Sequence, residues 1–208
     1  MAAMRSEEPL RSRCLILVGL WWLAGCASSP EDVTHTDARG LSSPDRSSQC
    51  VSSDNLLADT EFLSISRGPW QYTQHAGDLS FEVTSNSSEL KIRRVGVEPW
   101  MLFRQRVPIE SHSAGILRFT ADLKGDLHGA EGVLFEPIAG LFLQGGPYAD
   151  KASSAVHDPN RGKWDWQTVT VEVPIDEGSV YGFAGFTHQA DGTLWARNPS
   201  LTLITCTE

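Results

Sequence analysis

Residues 115–125 read GILRFTADLKG, and this stretch decides the fold. Apolar and polar residues alternate through it, with Leu117, Phe119, Ala121 and Leu123 in one set and Arg118, Thr120, Asp122 and Lys124 in the other. A period of two places each set on its own side of an extended chain. The stretch therefore predicts a β-strand with one buried face and one face in contact with water.

The same period recurs on both sides of this strand. Residues 166–173 alternate and stop at Pro174, whereas residues 180–187 are apolar on both faces and predict a central strand. Further strands are predicted at 79–84, 89–95, 101–107, 133–144 and 193–204, and a long loop at 145–165. Many strands separated by Gly, Pro, Asn and Asp predict an all-β sandwich or jelly roll.

The composition narrows the class of protein. The chain has 208 residues, with 17 Lys and Arg against 26 Asp and Glu, and its formal net charge is −9. That charge argues against a general nucleic-acid binder, because such a protein needs a basic face that displaces counterions. The 40% content of hydrophobic residues is enough for a packed core. We therefore expect a folded domain without a nucleic-acid partner.

The start of the chain has the anatomy of a targeting signal. Three arginines precede an uncharged run at 14–25: Arg5, Arg11 and Arg13. A basic start followed by a short apolar segment is typical of a signal peptide. The run is shorter than the roughly 20 residues that a membrane-spanning helix needs.

The apolar run ends in Leu-Ala-Gly-Cys at 23–26, which resembles the lipobox of bacterial lipoproteins. The resemblance implies a lipoprotein signal peptide at 1–25 and acylation of Cys26, which then becomes the N-terminus. Because no Asp follows Cys26, it also implies a lipid anchor in the outer membrane of the cell envelope, with the domain facing the periplasm or the exterior. The alternative is an ordinary secretory signal that is cut near Ala27.

Residues 26–49 contain only two large aliphatic side chains, Val33 and Leu41, and predict a flexible linker. The folded domain is predicted at 50–208. Two cysteines remain, Cys50 and Cys206, and an oxidising envelope compartment predicts that they form a disulfide. Such a bridge would bring the two ends of the domain together and contribute roughly 5 kcal/mol on chain-entropy grounds. Two unpaired thiols are the alternative.

Several short motifs cover most of residues 55–205. Residues 55–62 read NLLADTEF and Gly-Pro-Trp follows at 68–70, while LFRQRV stands at 102–107. Residues 162–167 read GKWDWQ, and Gly-Thr-Leu-Trp at 192–195 opens the last strand. These motifs resemble jelly-roll carbohydrate-binding modules of the family 4/9 type, within the galactose-binding-like sandwiches. The resemblance implies a β-sandwich that binds saccharides.

One position departs from that pattern. The resembling domains often place Asp after the last Trp, near a structural calcium in some members, and this chain has Ala196 there. An alanine side chain cannot ligate a metal. We therefore expect neither a metal nor a cofactor.

The candidate ligand-binding residues carry aromatic faces or polar groups at loops and strand edges. Sugar rings present C–H groups to Trp and Tyr faces, and polar side chains bond to their hydroxyls. The set is Trp70, Tyr72, Trp100, Arg104, Gln105, Arg106 and Trp164. Trp164 stands in a polar stretch and is expected to be the most exposed, while Trp70 has the alternative role of capping the sandwich. Trp166 and Trp195 start strands and are expected in the core.

Five basic residues lie on two consecutive predicted strands: Lys91, Arg93, Arg94, Arg104 and Arg106. If the two strands pair, these residues form a basic patch that suits an anionic sugar or a lipid headgroup. The alternative is a solvated sheet face with cross-strand ion pairs to Glu89 and Glu98.

The sequence carries no catalytic motif. Its six histidines are scattered, and neither His-Glu-x-x-His nor Gly-x-Ser-x-Gly occurs. We therefore expect a lipid-anchored, non-catalytic domain that binds a saccharide or another polar envelope ligand. The alternative is a structural or protein-interaction lipoprotein that binds no small ligand.

Overall fold

The computed structural model describes residues 49–74, 80–110, 112–129, 139–146, 152–157 and 162–207. The predicted signal peptide at 1–25, the predicted lipidation site Cys26 and the linker up to residue 48 lie outside this part of the chain. Among the described residues, no helix is long and apolar enough to span a membrane.

The described residues form eleven β-strands. They are β1 (Gln49–Ser52), β2 (Trp70–Gln74), β3 (Phe81–Asn86), β4 (Glu89–Arg94), β5 (Met101–Pro108), β6 (Gly115–His128), β7 (Ala139–Gly145), β8 (Ala152–His157), β9 (Lys163–Ile175), β10 (Tyr181–His188) and β11 (Asp191–Thr207).

The strands form two antiparallel sheets. One sheet has six strands in the order β3-β4-β11-β6-β9, with β1 paired to the end of β11. The other has five strands in the order β2-β5-β10-β7-β8. Because spatial neighbours are seldom neighbours in the chain, the connections cross from sheet to sheet, as in a jelly-roll sandwich. The predicted all-β jelly-roll fold is confirmed.

The core lies between the sheets and follows the alternation in the sequence. Leu117, Phe119, Ala121 and Leu123 are all buried on β6, as the opening stretch predicts. An aromatic cluster joins them, in which the ring of Trp70 stacks on that of Phe103 with centroids 5.1 Å apart. Burying each such side chain contributes roughly 1.5–3 kcal/mol, so this cluster is a main source of stability.

The two ends of the domain meet at the predicted disulfide. Cys50 on β1 lies directly opposite Cys206 on β11, and the two sulfurs are bonded. The predicted disulfide, which brings the two ends of the domain together, is therefore confirmed.

The structure differs from the predicted strands at residues 145–165 and before residue 79. The predicted loop at 145–165 contains β8 and the start of β9, while the short strands β1 and β2 were not predicted. The two basic strands, β4 and β5, do not pair, because β4 belongs to the six-stranded sheet and β5 to the five-stranded sheet. The predicted strand at 133–144 is described only from residue 139, where β7 begins.

Candidate functional site

The outer surface of the five-stranded sheet carries two arginines from β5. Met101, Phe103, Gln105 and Val107 point into the core, so the alternation sends Arg104 and Arg106 to the outside. On the adjacent strand β10, Tyr181 lies opposite Pro108 and Phe183 opposite Arg106. We call Arg104, Arg106, Phe142, Tyr181 and Phe183 the arginine–aromatic face.

Each guanidinium of this face lies over an aromatic ring. The Cζ atom of Arg104 is 4.2 Å from the ring centroid of Phe183 and 5.9 Å from that of Phe142. The Cζ atom of Arg106 is 4.0 Å from the ring centroid of Tyr181. The rings of Tyr181 and Phe183 meet edge to face at 5.6 Å. These contacts order both side chains on the surface before any ligand arrives.

The arginine–aromatic face has no negative charge of its own. In the part of the chain that the structure describes, neither Arg104 nor Arg106 forms an ion pair, and the buried Nε of Arg104 has no hydrogen-bond partner. Burial lowers the pKa of Arg104 because it removes water from the charged group. No strand of the five-stranded sheet contains Asp or Glu.

Uncharged polar groups lie beside the two arginines. Gln71 on β2 is directly opposite Arg104, and Gln144 on β7 is directly opposite Phe183. Gln144 donates a hydrogen bond from Nε2 to the carbonyl oxygen of Gly146 at 2.9 Å, which fixes the direction of its amide. The face therefore combines fixed cations, ring surfaces and amide groups.

The outer surface of the six-stranded sheet carries a groove of about 450 Å³. Its walls are Lys124, Asp126, Lys163, Trp164, Asp165 and Trp195, and we call it the tryptophan groove. Trp195 and the neighbouring Trp166 are half-buried and have cations over their rings. The prediction that these two tryptophans lie in the core was therefore wrong.

Two predicted ligand-binding residues are buried and have structural roles. Trp70 donates a hydrogen bond from Nε1 to the carbonyl oxygen of Asp59 at 2.8 Å. The buried amide of Gln105 accepts a hydrogen bond from the backbone of Ala58 at 3.1 Å. Both side chains hold the segment before β2 against the core, so neither is available to a ligand. The alternative role of Trp70 within the sandwich describes its position better.

The other predicted residues are spread over the molecule. Tyr72 packs against the core and donates its hydroxyl hydrogen to Oε1 of Gln74 at 2.6 Å, and burial raises its pKa. Trp100 is half-buried just before β5. Trp164 lies on β9 and packs against the core, so it is less exposed than expected. Of the predicted set, Arg104 and Arg106 share the outer face of the five-stranded sheet, whereas Trp70, Tyr72 and Gln105 share its inner face.

The predicted basic patch does not form. Arg93 donates to Oε2 of Glu82 at 2.7 Å, and Arg94 pairs with Asp191 at 3.0 Å, whereas Arg104 and Arg106 lie on the other sheet. The cross-strand partner of Arg93 is Glu82, because β4 pairs with β3 on that side.

Sequence reasoning missed Phe142, Tyr181 and Phe183. Tyr181 and Phe183 lie in the stretch 180–187, which was correctly predicted as a central strand but whose second apolar face was not assigned to the surface, and Phe142 lies in the strand predicted at 133–144. A two-layer sandwich has one core, so a second apolar face on a strand must lie at the surface. That rule is the signal that would have found the aromatic part of the face.

The described residues hold no group of three or more His, Cys, Asp or Glu side chains that suits a metal ion. The buried His188 lies on the core side of β10, where its Nδ1 accepts a hydrogen bond from the backbone of Ala190 at 3.3 Å. Burial, followed by the charge of Arg94, lowers the pKa of His188 to about 3, so this side chain is neutral at ordinary pH. It belongs to the core rather than to either outer surface.

Comparison with known proteins agrees with the architecture. The sequence matches no protein-family model and no curated protein. The enzymatically active domain of tailspike protein 4 from bacteriophage CBA120 is similar, with a TM-score of 0.50 and 13% identity over 72% of this chain. The chain spans only 21% of that tailspike chain.

Carbohydrate-binding modules are also among the similar structures. TmCBM61, solved with β-1,4-galactotriose, has a TM-score of 0.49 and 11% identity, and the match covers 74% of this chain and 100% of that one. A CBM4 structure has a TM-score of 0.42 and 15% identity, over 70% of this chain and 97% of that one. At identities this low, a likeness between two structures concerns the fold alone.

Proposed function

We propose that the protein is a non-catalytic binding module whose arginine–aromatic face binds an acidic saccharide. The observation that carries this proposal is the pair of guanidiniums, Arg104 and Arg106, held over aromatic rings without a carboxylate partner in the described residues. The rings supply surfaces for the C–H groups of a pyranose, and the arginines supply fork-shaped donors for a carboxylate.

The charge of the whole chain makes this pair unusual. A protein with a formal net charge of −9 has many carboxylates to offer its arginines, and Arg93, Arg94, Arg118 and Arg197 each have one. The five-stranded sheet presents two arginines and no acidic residue within its strands. A ligand with carboxylates would supply partners for these two arginines, because arginine pairs with carboxylate through two parallel hydrogen bonds.

The test compares two saccharides that differ only at C6 of each unit, which is a carboxylate in one and a neutral hydroxymethyl group in the other. Isothermal titration calorimetry with hexagalacturonate and with the neutral galactose hexamer of the same linkage isolates the contribution of the carboxylates. We expect the acidic chain to bind and the neutral chain to bind this face at least tenfold more weakly, with an affinity for the acidic chain that falls as salt is added.

Two variants and one control locate the interaction. Arg104→Gln and Arg106→Gln should each weaken hexagalacturonate binding by about tenfold to a hundredfold, since a hydrogen bond to a charged group contributes about 1.5–3 kcal/mol. Arg118→Gln removes an exposed arginine from the other sheet, where it pairs with Glu172, and should change nothing. Equal binding of both saccharides, or affinity that survives both substitutions, would contradict the proposal.

The proposed cellular context is a lipid anchor on Cys26 in the outer membrane of a bacterial envelope. The motif at 23–26 supports it, together with the short apolar run before it and the disulfide, which suits an oxidising compartment. Mass spectrometry of the protein from bacterial membranes should find an acylated cysteine as the first residue. A mature chain that begins near Ala27 without acyl groups would refute the anchor and leave the binding proposal intact.

A further inference from the structure

The tryptophan groove is formed by an irregularity in the pairing of β6 with β9. Leu123 lies opposite Gln167 and Gly125 opposite Trp164, so two residues of β9 face the single residue Lys124. Such a bulge bends a strand and redirects its side chains, and bulges are frequent beside functional sites. Here the bulge turns the ring of Trp164 onto Gly125, where any side chain would overlap the ring.

The second wall of the groove is held in place by stacked cations. Nζ of Lys124 lies 4.7 Å from the ring centroid of Trp166 and 4.9 Å from that of Trp195. Cζ of Arg197 lies 4.1 Å from the ring centroid of Trp166. Lys124 therefore lies between the two indoles. Trp195 lines the groove, and Trp166 contacts the same lysine from the other side.

The polar groups of the groove are balanced in charge. Lys124 and Lys163 contribute two positive charges, and Asp126 and Asp165 two negative ones. Nζ of Lys163 lies 3.1 Å from Oδ2 of Asp126. Oδ1 of Asp165 accepts a hydrogen bond from the backbone of Trp166 at 2.8 Å, which fixes the carboxylate at the rim. The groove therefore offers both donors and acceptors without favouring an ion of either sign.

The dimensions suit a small polar ligand with an apolar face. A volume of about 450 Å³ lies within the range of about 300–1,000 Å³ that is usual for small-molecule sites. An indole surface and alternating donors and acceptors match a pyranose ring, which carries C–H groups on its faces and hydroxyls at its edge.

From this geometry we infer that the tryptophan groove is a second binding site and takes a neutral pyranose unit of a saccharide chain. It lies on the sheet opposite to the arginine–aromatic face and shares no residue with it. The inference therefore stands independently of the function proposed for that face. The carboxylates of Asp126 and Asp165 accept hydrogen bonds from hydroxyls, and Trp195 packs against the ring.

The test uses the full-length protein and calorimetric titration with four neutral oligosaccharides: cellohexaose, mannohexaose, xylohexaose and β-1,4-galactotriose. We expect saturable binding of at least one of them. Asp126→Asn and Trp195→Ala should each weaken that binding at least tenfold, whereas Glu172→Gln, an exposed carboxylate farther along β9, should leave it unchanged. Should Trp195→Ala fail to fold, Asp126→Asn decides the result, because its side chain keeps the same size.

The outcomes separate the two sites. Neutral binding that survives Arg104→Gln and is lost in Asp126→Asn supports the groove, whatever happens with acidic chains. No binding of any of the four saccharides overturns the inference, as does binding that both groove variants retain. Neutral binding that is lost only in Arg104→Gln also overturns it and moves all recognition to the other sheet.

Discussion

The outer surfaces of the two sheets use the same kinds of side chain, cations over aromatic rings, but they balance charge differently. On the six-stranded sheet, Arg93, Arg118 and Arg197 each have a carboxylate partner, and so does Lys163. On the five-stranded sheet, the two arginines of β5 have none in the described residues. The two surfaces therefore differ in charge balance rather than in aromatic content, and this difference is the reason why we propose an acidic ligand for one and a neutral ligand for the other.

The difference originates in the strands themselves. β3, β4, β6, β9 and β11 all contain acidic residues, and cross-strand pairing brings them to the basic ones. β5 has neighbours without any acid, β2 and β10. The contacts of Arg104 and Arg106 are therefore with aromatic rings, and neither arginine has a carboxylate partner among the residues that the structure describes.

The largest expected effect is on the stability of the domain and should leave ligand binding unchanged. Replacing both cysteines, Cys50→Ser and Cys206→Ser, removes the link between the ends of the domain and should lower the free energy of unfolding by up to about 5 kcal/mol. Urea denaturation with and without reductant measures this loss. Both binding surfaces lie outside β1, so the affinities of the folded variant should not change; a loss of affinity would show that β1 helps to form a site.

The second effect is a dependence of stability on pH. His188 has an unfolded pKa near 6.5 and a folded pKa of about 3, so the unfolded chain binds the proton more readily. Its contribution is fully present above pH 6.5 and should decrease by about 1.4 kcal/mol for each pH unit below it, down to about pH 3.

The matched variants for this effect are His188→Gln and the exposed His128→Gln. Urea denaturation between pH 7 and pH 4 gives the free energy of unfolding at each pH. Its dependence on pH should be weaker in His188→Gln than in the unsubstituted protein, and it should be unchanged in His128→Gln. Because His188 packs against Phe81 of the other sheet, both binding surfaces should fail together as acid unfolds the protein. An unchanged slope in His188→Gln would contradict the burial of a neutral imidazole.

The third effect compares one glycine from each surface. A Cβ at Gly185 would overlap the backbone of Phe103 and Arg104, which cannot move aside, so Gly185→Ala should cost about 3 kcal/mol. A Cβ at Gly125 would overlap the far edge of the Trp164 ring, which is a side chain rather than backbone, so Gly125→Ala should cost less, about 1 kcal/mol.

The two glycine variants should also separate the ligands. Gly125→Ala should impair neutral binding while acidic binding remains, and Gly185→Ala should do the reverse. Thermal denaturation gives the stabilities, and calorimetry with the two classes of saccharide gives the affinities. Loss of both kinds of binding in Gly125→Ala would mean that the surfaces are not independent.

The smallest effect concerns the cation between the two indoles. Lys124→Met keeps the length of the side chain and removes its charge, so it should cost about 0.5–1 kcal/mol through the lost contacts with Trp166 and Trp195. Thermal denaturation measures the loss. Binding of hexagalacturonate should not change, since Lys124 lies on the other sheet.

Much of the fold could be predicted because alternation is a local signal. The pattern of residues 115–125 corresponds to β6, and the cysteines at the two ends predict that the ends of the domain meet, as they do where β1 pairs with β11. The assignment of each strand to one of the two sheets could not be predicted in the same way. β4 and β5 are consecutive in the chain but belong to different sheets, because the topology is set by packing across the whole domain.

The site was harder to predict than the fold. Gln105 lies between Arg104 and Arg106 in the chain, yet its side chain points to the opposite side of the sheet and is buried. Trp70 starts β2 and Trp195 lies within β11, but the first stacks in the core and the second lies outside it. Residue type indicates which side chains suit a sugar, and only the register decides which of them face water.

The most direct test of the account is a nuclear magnetic resonance titration of the labelled full-length protein with hexagalacturonate. If hexagalacturonate binds the arginine–aromatic face, the perturbed backbone amides should lie on β5, β7 and β10. The guanidinium Nε–H signals of Arg104 and Arg106 should shift furthest. The amides around Trp164 and Trp195 should stay in place. Shifts confined to the tryptophan groove, or no saturable shift at all, would contradict the claim that Arg104 and Arg106 recognise an acidic saccharide.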